Sequence, residues 1–304
     1  MTRAGVVGVG HLGFHHARIL RSLVDEVRVC DTRPGRAAEV SRELDVRSSP
    51  SLDAILGESD LIVAACTTSA HYDVVSSALS AGLPVLVEKP IASTLDQGQR
   101  LVGMAERAGL VLAVGHVERF NPAITAAARL IKEPMFVEGH RLARFQPRGT
   151  DVSVVMDLMI HDIDLVLSFV TSGIAEVRAS GLPVLSEKHD IVSARLSFHN
   201  GAVVNMTASR ISREPMRKLR FFESNRYVSV DFAARKVEAY ALVNGSISQL
   251  PTDVPEHDAL EEELRDFLAA CRGEREPAVP GRAGVRALGA AEAITREIEK
   301  SSRG

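Results

Sequence analysis

The sequence predicts an α/β protein, opening with a doubly wound parallel sheet and continuing into an α+β part with antiparallel strands. Three observations carry this. Short apolar runs alternate with helix-like stretches as far as Val114. A glycine-rich turn, Gly8 to Gly13, follows the first of those runs. Beyond Gly115 the pattern changes to longer alternating strands, with an Asn200-Gly201 hairpin signal.

Gly5–Gly8 reads as the first strand and Phe14–Leu23 as the first helix. Val27–Cys30 is a second strand, Arg36–Leu44 a helix, and Leu61–Ala65 a continuous apolar strand. His71–Ala81 follows as a helix, then Pro84–Val87 as a strand. Thr94 and Gln97 have capping-box spacing and open a helix to Ala108; Val111–Val114 closes the series. Apolar strands of this kind, separated by helices, are those of a parallel sheet covered on both faces. Asn121–Ile131 reads as a helix and Phe136–Phe145 as a strand. An apolar helix bearing Asp and His residues comes next, and Val177–Tyr240 is strand-rich. Ala259–Cys271 and Gly284–Lys300 are the last helices. The boundary is expected near residues 117–121, giving domains 1–118 and 119–304.

At 304 residues the chain is long enough for two cores. A formal net charge of −3 gives no footing for nucleic acid as the main partner. The three cysteines, Cys30, Cys66 and Cys271, are scattered, which argues against a disulfide framework or a structural zinc; no metal is expected. The N-terminal apolar stretch is cut by Gly5, Gly8 and Gly10 and does not read as a signal peptide. The most apolar later stretch, Val152–Val170, carries Asp157, His161, Asp162 and Asp164, which a bilayer would penalise. A cytoplasmic enzyme without membrane contact is expected.

Gly8-Val9-Gly10-His11-Leu12-Gly13 fits G-x-G-x-x-G between a predicted strand and a predicted helix, the context of a dinucleotide loop. Glycines allow a tight turn and close backbone approach, while the helix start offers N–H groups to a pyrophosphate. Asp31, at the end of the second strand, is placed to bind ribose hydroxyls, which favours NAD; Arg33 and Arg36 nearby keep NADP as an alternative. Its plain reading is a turn or cap residue. Thr67 and His71 follow the strand ending at Ala65 and are candidates to line the cofactor, with a capping role as the alternative for the threonine.

Glu88-Lys89-Pro90 ends the strand at Val87, where open α/β sheets bind ligands. Asp157, His161 and Asp164 are spaced i, i+4, i+7, one face of an otherwise apolar helix. A buried hydrogen-bond network and a catalytic cleft explain that face equally well when it is taken alone. Oxidation of a secondary alcohol needs a proton acceptor and a cation at the developing alkoxide. His161 supplies the first, Lys89 the second, and Asp157 a carboxylate to steady the imidazole.

The order of these motifs resembles the glucose–fructose oxidoreductase/inositol dehydrogenase/MocA (Gfo/Idh/MocA) family, and Gly115–Pro122 and the segment from Pro277 extend the resemblance over nearly the whole chain. It implies a Rossmann domain, a second domain with a large open sheet, and pairing through that sheet into dimers or tetramers. It gives Lys89, His161 and Asp157 the catalytic roles, with Glu88 beside the cofactor. Ser153-Val154-Val155-Met156 departs from the glycines many members carry there. His15–Arg18, Gly115–Pro122 and Asp157–Asp164 look most like the UDP-N-acetylglucosamine 3-dehydrogenases, some of which feed a diamino form of lipid A. A diphosphate-linked substrate needs cations. Arg144 and Arg148, the Arg210–Arg220 segment, and Arg119 are the candidates; a solvated strand face or a subunit contact competes for the first two groups and a domain-hinge ion pair for Arg119. The expected activity is NAD-dependent oxidation of a sugar nucleotide. A free cyclitol such as myo-inositol is the alternative substrate, and a silent NAD(H)-binding regulator the alternative class.

Overall fold

The computed structural model describes residues 1–146 and 152–301. The chain divides into two compact units, Met1–Val117 with Ala259–Val285, and Glu118–Asp258 with the chain from Arg286 onward. In order, the first stretch holds β1 (Arg3–Val7), α1 (His11–Leu20), β2 (Glu26–Cys30), α2 (Arg36–Leu44), β3 (Arg47–Ser48) and α3 (Leu52–Glu58). It continues through β4 (Leu61–Ala64), α4 (Thr68–Ser80), β5 (Val85–Glu88), α5 (Leu95–Ala108) and β6 (Leu112–Gly115). The strands form one parallel sheet in the order β3-β2-β1-β4-β5-β6. Every residue of β4, β5 and β6 is buried, which is why those runs are apolar without alternation. Thr94 caps α5 by accepting from Gln97 N at 3.3 Å, and Ser51 caps α3 by accepting from Ala54 N at 3.2 Å.

The chain then forms a 3₁₀ turn at Val117–Phe120, α6 (Pro122–Ala128) and β7 (Phe136–Leu142). A π-turn at Val155–Met159 leads directly into α7 (Ile160–Phe169). Next come β8 (Ile174–Leu182), β9 (Ile191–Phe198), β10 (Val203–Ser209), β11 (Met216–Phe222), β12 (Arg226–Asp231), β13 (Lys236–Val243) and β14 (Ser246–Gln249). Two helices finish the chain, α8 (Ala259–Cys271) and α9 (Gly281–Ser301). The second sheet runs β14-β13-β12-β11-β7-β10-β9-β8, antiparallel except for the β7–β10 pair. Gly201, at φ +86°, turns β9 into β10, as the Asn-Gly signal predicts. Val192, Ala194 and Leu196 of β9 and Val204, Met206 and Ala208 of β10 face a core completed by Ile160 and Ile163 of α7 and Ile294 and Ile298 of α9.

The first division lies between Val117 and Glu118, and α8 belongs to the first unit rather than to what precedes it in the chain. Leu264, Phe267 and Leu268 pack with Ala4, Val6, Leu20 and Val63 of the first unit, and Val114 N donates to Val279 O at 3.0 Å. The apolar stripe of α8 announces a partner surface; nothing in its spacing says which core supplies it. The short elements α3 and β3 also lie outside the sequence-based expectations, being too brief to show a period.

Candidate active site

The glycines of the first loop are sorted by what surrounds them. Gly8 lies at φ +85°, and a Cβ there would stand 2.5 Å from Cys66 Cα. A Cβ on Gly13 would stand 1.8 Å from Gly8 O, so α1 can pack this closely on the turn only with glycine. A Cβ on Gly10 would meet nothing within 4 Å. The middle glycine thus bares the backbone to open space at the start of α1, where a pyrophosphate meets unpaired N–H groups. His11 and Leu12 lie exposed on that first helical turn. A cleft of about 550 Å³ beside the loop is lined by Gly8, Gly10, Asp31, Arg33, Cys66 and Thr67 among others.

Asp31 is fixed by its neighbours. Its carboxylate accepts from Val9 N and Arg33 N, each at 2.9 Å, and from Arg33 Nε at 3.2 Å. Partial burial pushes this carboxyl up, but Arg33 and the two amides outweigh burial and hold it below the ordinary carboxylate range. An ionised, immobile acid at this strand end fits the hydroxyls of an adenosine ribose. Arg36 donates to Val9 O at 2.9 Å, which ties α2 to the loop. Thr67 precedes α4 without a side-chain cap bond, its Oγ1 3.3 Å from Ser69 Oγ, and it lines the cleft.

Both ring nitrogens of His71 meet backbone carbonyls. The residue is 1 % exposed, with Nδ1 2.8 Å from Pro90 O and Nε2 3.2 Å from Cys66 O. Burial pulls its pKa down. A neutral ring carrying its proton on Nδ1 makes the shorter bond, so His71 joins the turn after β4 to the turn after β5. Glu88 is likewise turned inward: its Oε1 lies 2.8 Å from His16 Nε2, and its Oε2 accepts from Lys89 N at 3.3 Å. Burial pushes this carboxyl up, while His16 and Lys89 bring it below the usual range. Gly115 on β6 leaves the room Glu88 needs, since a Cβ there would stand 3.0 Å from Glu88 Oε2. Lys89, half-buried, extends from this braced strand end, and its bond to Pro90 is cis.

In the second unit, Asp157, His161 and Asp164 fall in two adjoining elements. Asp157 lies in the π-turn and His161 in α7, both half-buried. Ile160 N reaches back to Val155 O, so one extra residue enters the ladder between them, an irregularity common at functional sites. Asp164 is 1 % exposed and receives Arg119 Nε at 2.5 Å and Nη2 at 2.9 Å. Arg119, a substrate-binding candidate, is therefore committed to a bidentate ion pair. Asp162 accepts from Arg141 Nε at 3.0 Å and Nη2 at 2.6 Å, and Arg141 Nη1 reaches Glu118 at 2.9 Å. His161 is thus followed along α7 by two aspartates, Asp162 clamped by an arginine of β7 and Asp164 by one from the 3₁₀ turn before α6.

The other expected cations are dispersed. Arg144 is exposed and donates to Arg213 O at 2.9 Å. Arg148 lies outside the described residues. Arg210, Lys218 and Arg220 stand against Asp190 at 3.6 Å, Asp231 at 3.1 Å and Glu138 at 2.7 Å.

The family model for oxidoreductases with an NAD-binding Rossmann fold matches residues 2–116, and that for the Gfo/Idh/MocA C-terminal domain matches residues 132–227. A UDP-N-acetylglucosamine 3-dehydrogenase of Acidithiobacillus ferrooxidans is 40% identical over 98% of this chain and 97% of its own length. Its solved structure superposes with a TM-score of 0.92 at 39% identity, covering 98% of both chains. A myo-inositol dehydrogenase of Streptomyces leeuwenhoekii is 33% identical over 67% of this chain and 69% of its own. The chain belongs to the Gfo/Idh/MocA family of oxidoreductases, and its first unit is an NAD-binding Rossmann domain.

Sequence reasoning passed over Arg141, Asp162, Glu118, His16 and Glu263 as working residues. For Asp162 a signal was present: a third acid in one apolar helix demands a buried cation. Glu263 and Asp266 fall inside the Leu260–Leu264–Phe267 stripe of α8, a position where acids are rarely left unsupported.

Proposed function

We propose that this protein oxidises a secondary hydroxyl of a sugar nucleotide, the C3 hydroxyl of UDP-N-acetylglucosamine, to the ketone with NAD. One observation carries the reading: the likeness to the A. ferrooxidans enzyme spans 98% of the chain, so the second unit is matched along with the nucleotide loop. NAD would supply the hydride acceptor, and Gly8, Gly10, Gly13 and Asp31 would hold it, with Thr67 beside it. His161 takes the hydroxyl proton, Asp157 supports the resulting imidazolium, and the Lys89 ammonium stabilises the oxygen as negative charge develops. The carbon loses a hydride, the oxygen a proton, and the products are ketone, NADH and H⁺. Arg144 and Arg148 serve the diphosphate, while Arg119 steadies α7 through Asp164 rather than touching the sugar.

The same reading has the chain working in the cytoplasm on a lipid A precursor. It also pairs two copies through the sheet face bearing Phe222, Tyr227 and Tyr240, whose rings lie 5.0 and 6.3 Å apart in succession. Among the described residues no helix is long and apolar enough to cross a membrane. A panel of sugar nucleotides and polyols with both nicotinamide cofactors tests the substrate. Turnover is expected with UDP-N-acetylglucosamine and NAD; turnover of myo-inositol alone would overturn the proposal in favour of a cyclitol dehydrogenase.

A further inference from the structure

We propose that Glu263 is a positioning residue: a neutral, proton-bearing acid that, with His16 and Glu88, braces the turn from which Lys89 extends. This rests on the catalytic role given to Lys89 above.

Three elements bring these side chains together, α1, β5 and α8. His16 is 0% exposed, Glu88 8% and Glu263 2%, and one ligating atom from each lies within 4.8 Å of the others. Glu88 has donors: the His16 ring at 2.8 Å and Lys89 N at 3.3 Å. Neither oxygen of Glu263 has a hydrogen-bond partner among the described residues, and neither has His16 Nδ1. An ionised carboxylate in that setting is costly, whereas a neutral acid is far less so. Two carboxyls this close do not both ionise, and the one with donors keeps the charge. An imidazolium at His16 would bury an N–H with no acceptor, so the neutral ring donating from Nε2 to Glu88 completes the set.

The remaining charges around the cluster agree. Asp266, one helical turn along α8, faces Glu263 and is held by Arg275 at 3.1 Å and Ala278 N at 2.8 Å. Lys89 and the His71 ring lie on the Glu88 side. Burial, then Glu88 and Asp266, push the Glu263 carboxyl well above its usual range. The neutral acid fills the space behind Glu88, Gly115 bounds it on the other side, and the backbone of Lys89 follows directly. The same three ligands suit a divalent cation only if Glu263 is ionised, which makes metal the rival outcome.

Glu263→Gln and Glu263→Ala test this in the full chain, using steady-state kinetics, infrared spectroscopy and metal analysis. Glutamine keeps the size and neutrality of the protonated acid. It should leave kcat and its pH profile close to wild type while removing one protonated-carboxyl C=O band from the wild-type spectrum. Alanine frees Glu88 and should lower kcat about tenfold with the KM for NAD little changed. A glutamine variant as impaired as alanine, an unchanged carboxyl band, or stoichiometric metal lost on substitution would overturn the proposal. Loss of the band in a protein that turns over no sugar would refute the proposed function and leave the proton assignment standing.

Discussion

Lys89 and His161 are the residues on which turnover is expected to depend. Lys89→Ala and His161→Ala should each lower kcat by about 10²- to 10⁴-fold, with NAD affinity by fluorescence titration unchanged. Retained turnover in either variant would remove that residue from the chemistry. Asp31 makes a separate prediction. Asp31→Ser removes the ionised acid proposed to hold the ribose and leaves Arg33 without its partner, so KM for NAD should rise while the preference over NADP narrows. Parallel kinetics with both cofactors measure it. The sequence offers these residues as candidates because the chemistry restricts their types to few choices. Orientation was not legible: the inward turns of His71 and Glu88 follow from Pro90 O, Cys66 O and His16, partners distant in sequence.

Among elements, α7 shows most clearly how packing overrides pattern. An i, i+4, i+7 spacing describes a uniform helix, whereas a π-turn at Val155–Met159 carries Asp157, and arginines claim Asp162 and Asp164. Arg141→Met should leave buried Asp162 and half-buried Glu118 without their cation, costing about 3–5 kcal/mol, read by urea denaturation. Little loss of stability would show the network to be dispensable. β4 and β5 were readable as continuous apolar runs because both of their faces are covered. The segment from Val184 to Ser186 was unreadable, since its order comes from three backbone amides donating to Asp190.

For the whole molecule, the return of α8 to the first unit links a late segment to the early sheet, and it carries a pH signature. The Glu263 carboxyl titrates higher in the folded chain than in the unfolded one, so folding favours its proton. That contribution to stability is complete below the unfolded value near 4.5 and is lost as pH rises toward the folded value. Glu263→Gln has no such dependence. Its melting temperature should therefore gain on wild type as pH increases above about 4.5, and parallel melting curves across pH would show the expected divergence or its absence.

The oxidised carbon can be read directly with UDP-N-acetylglucosamine carrying deuterium at C3. Incubation with NAD and the purified protein should give deuterated NADH and a sugar nucleotide lighter by one hydrogen and one deuterium. Turnover that yields unlabelled NADH would contradict C3 oxidation, and no NADH at all would contradict the substrate.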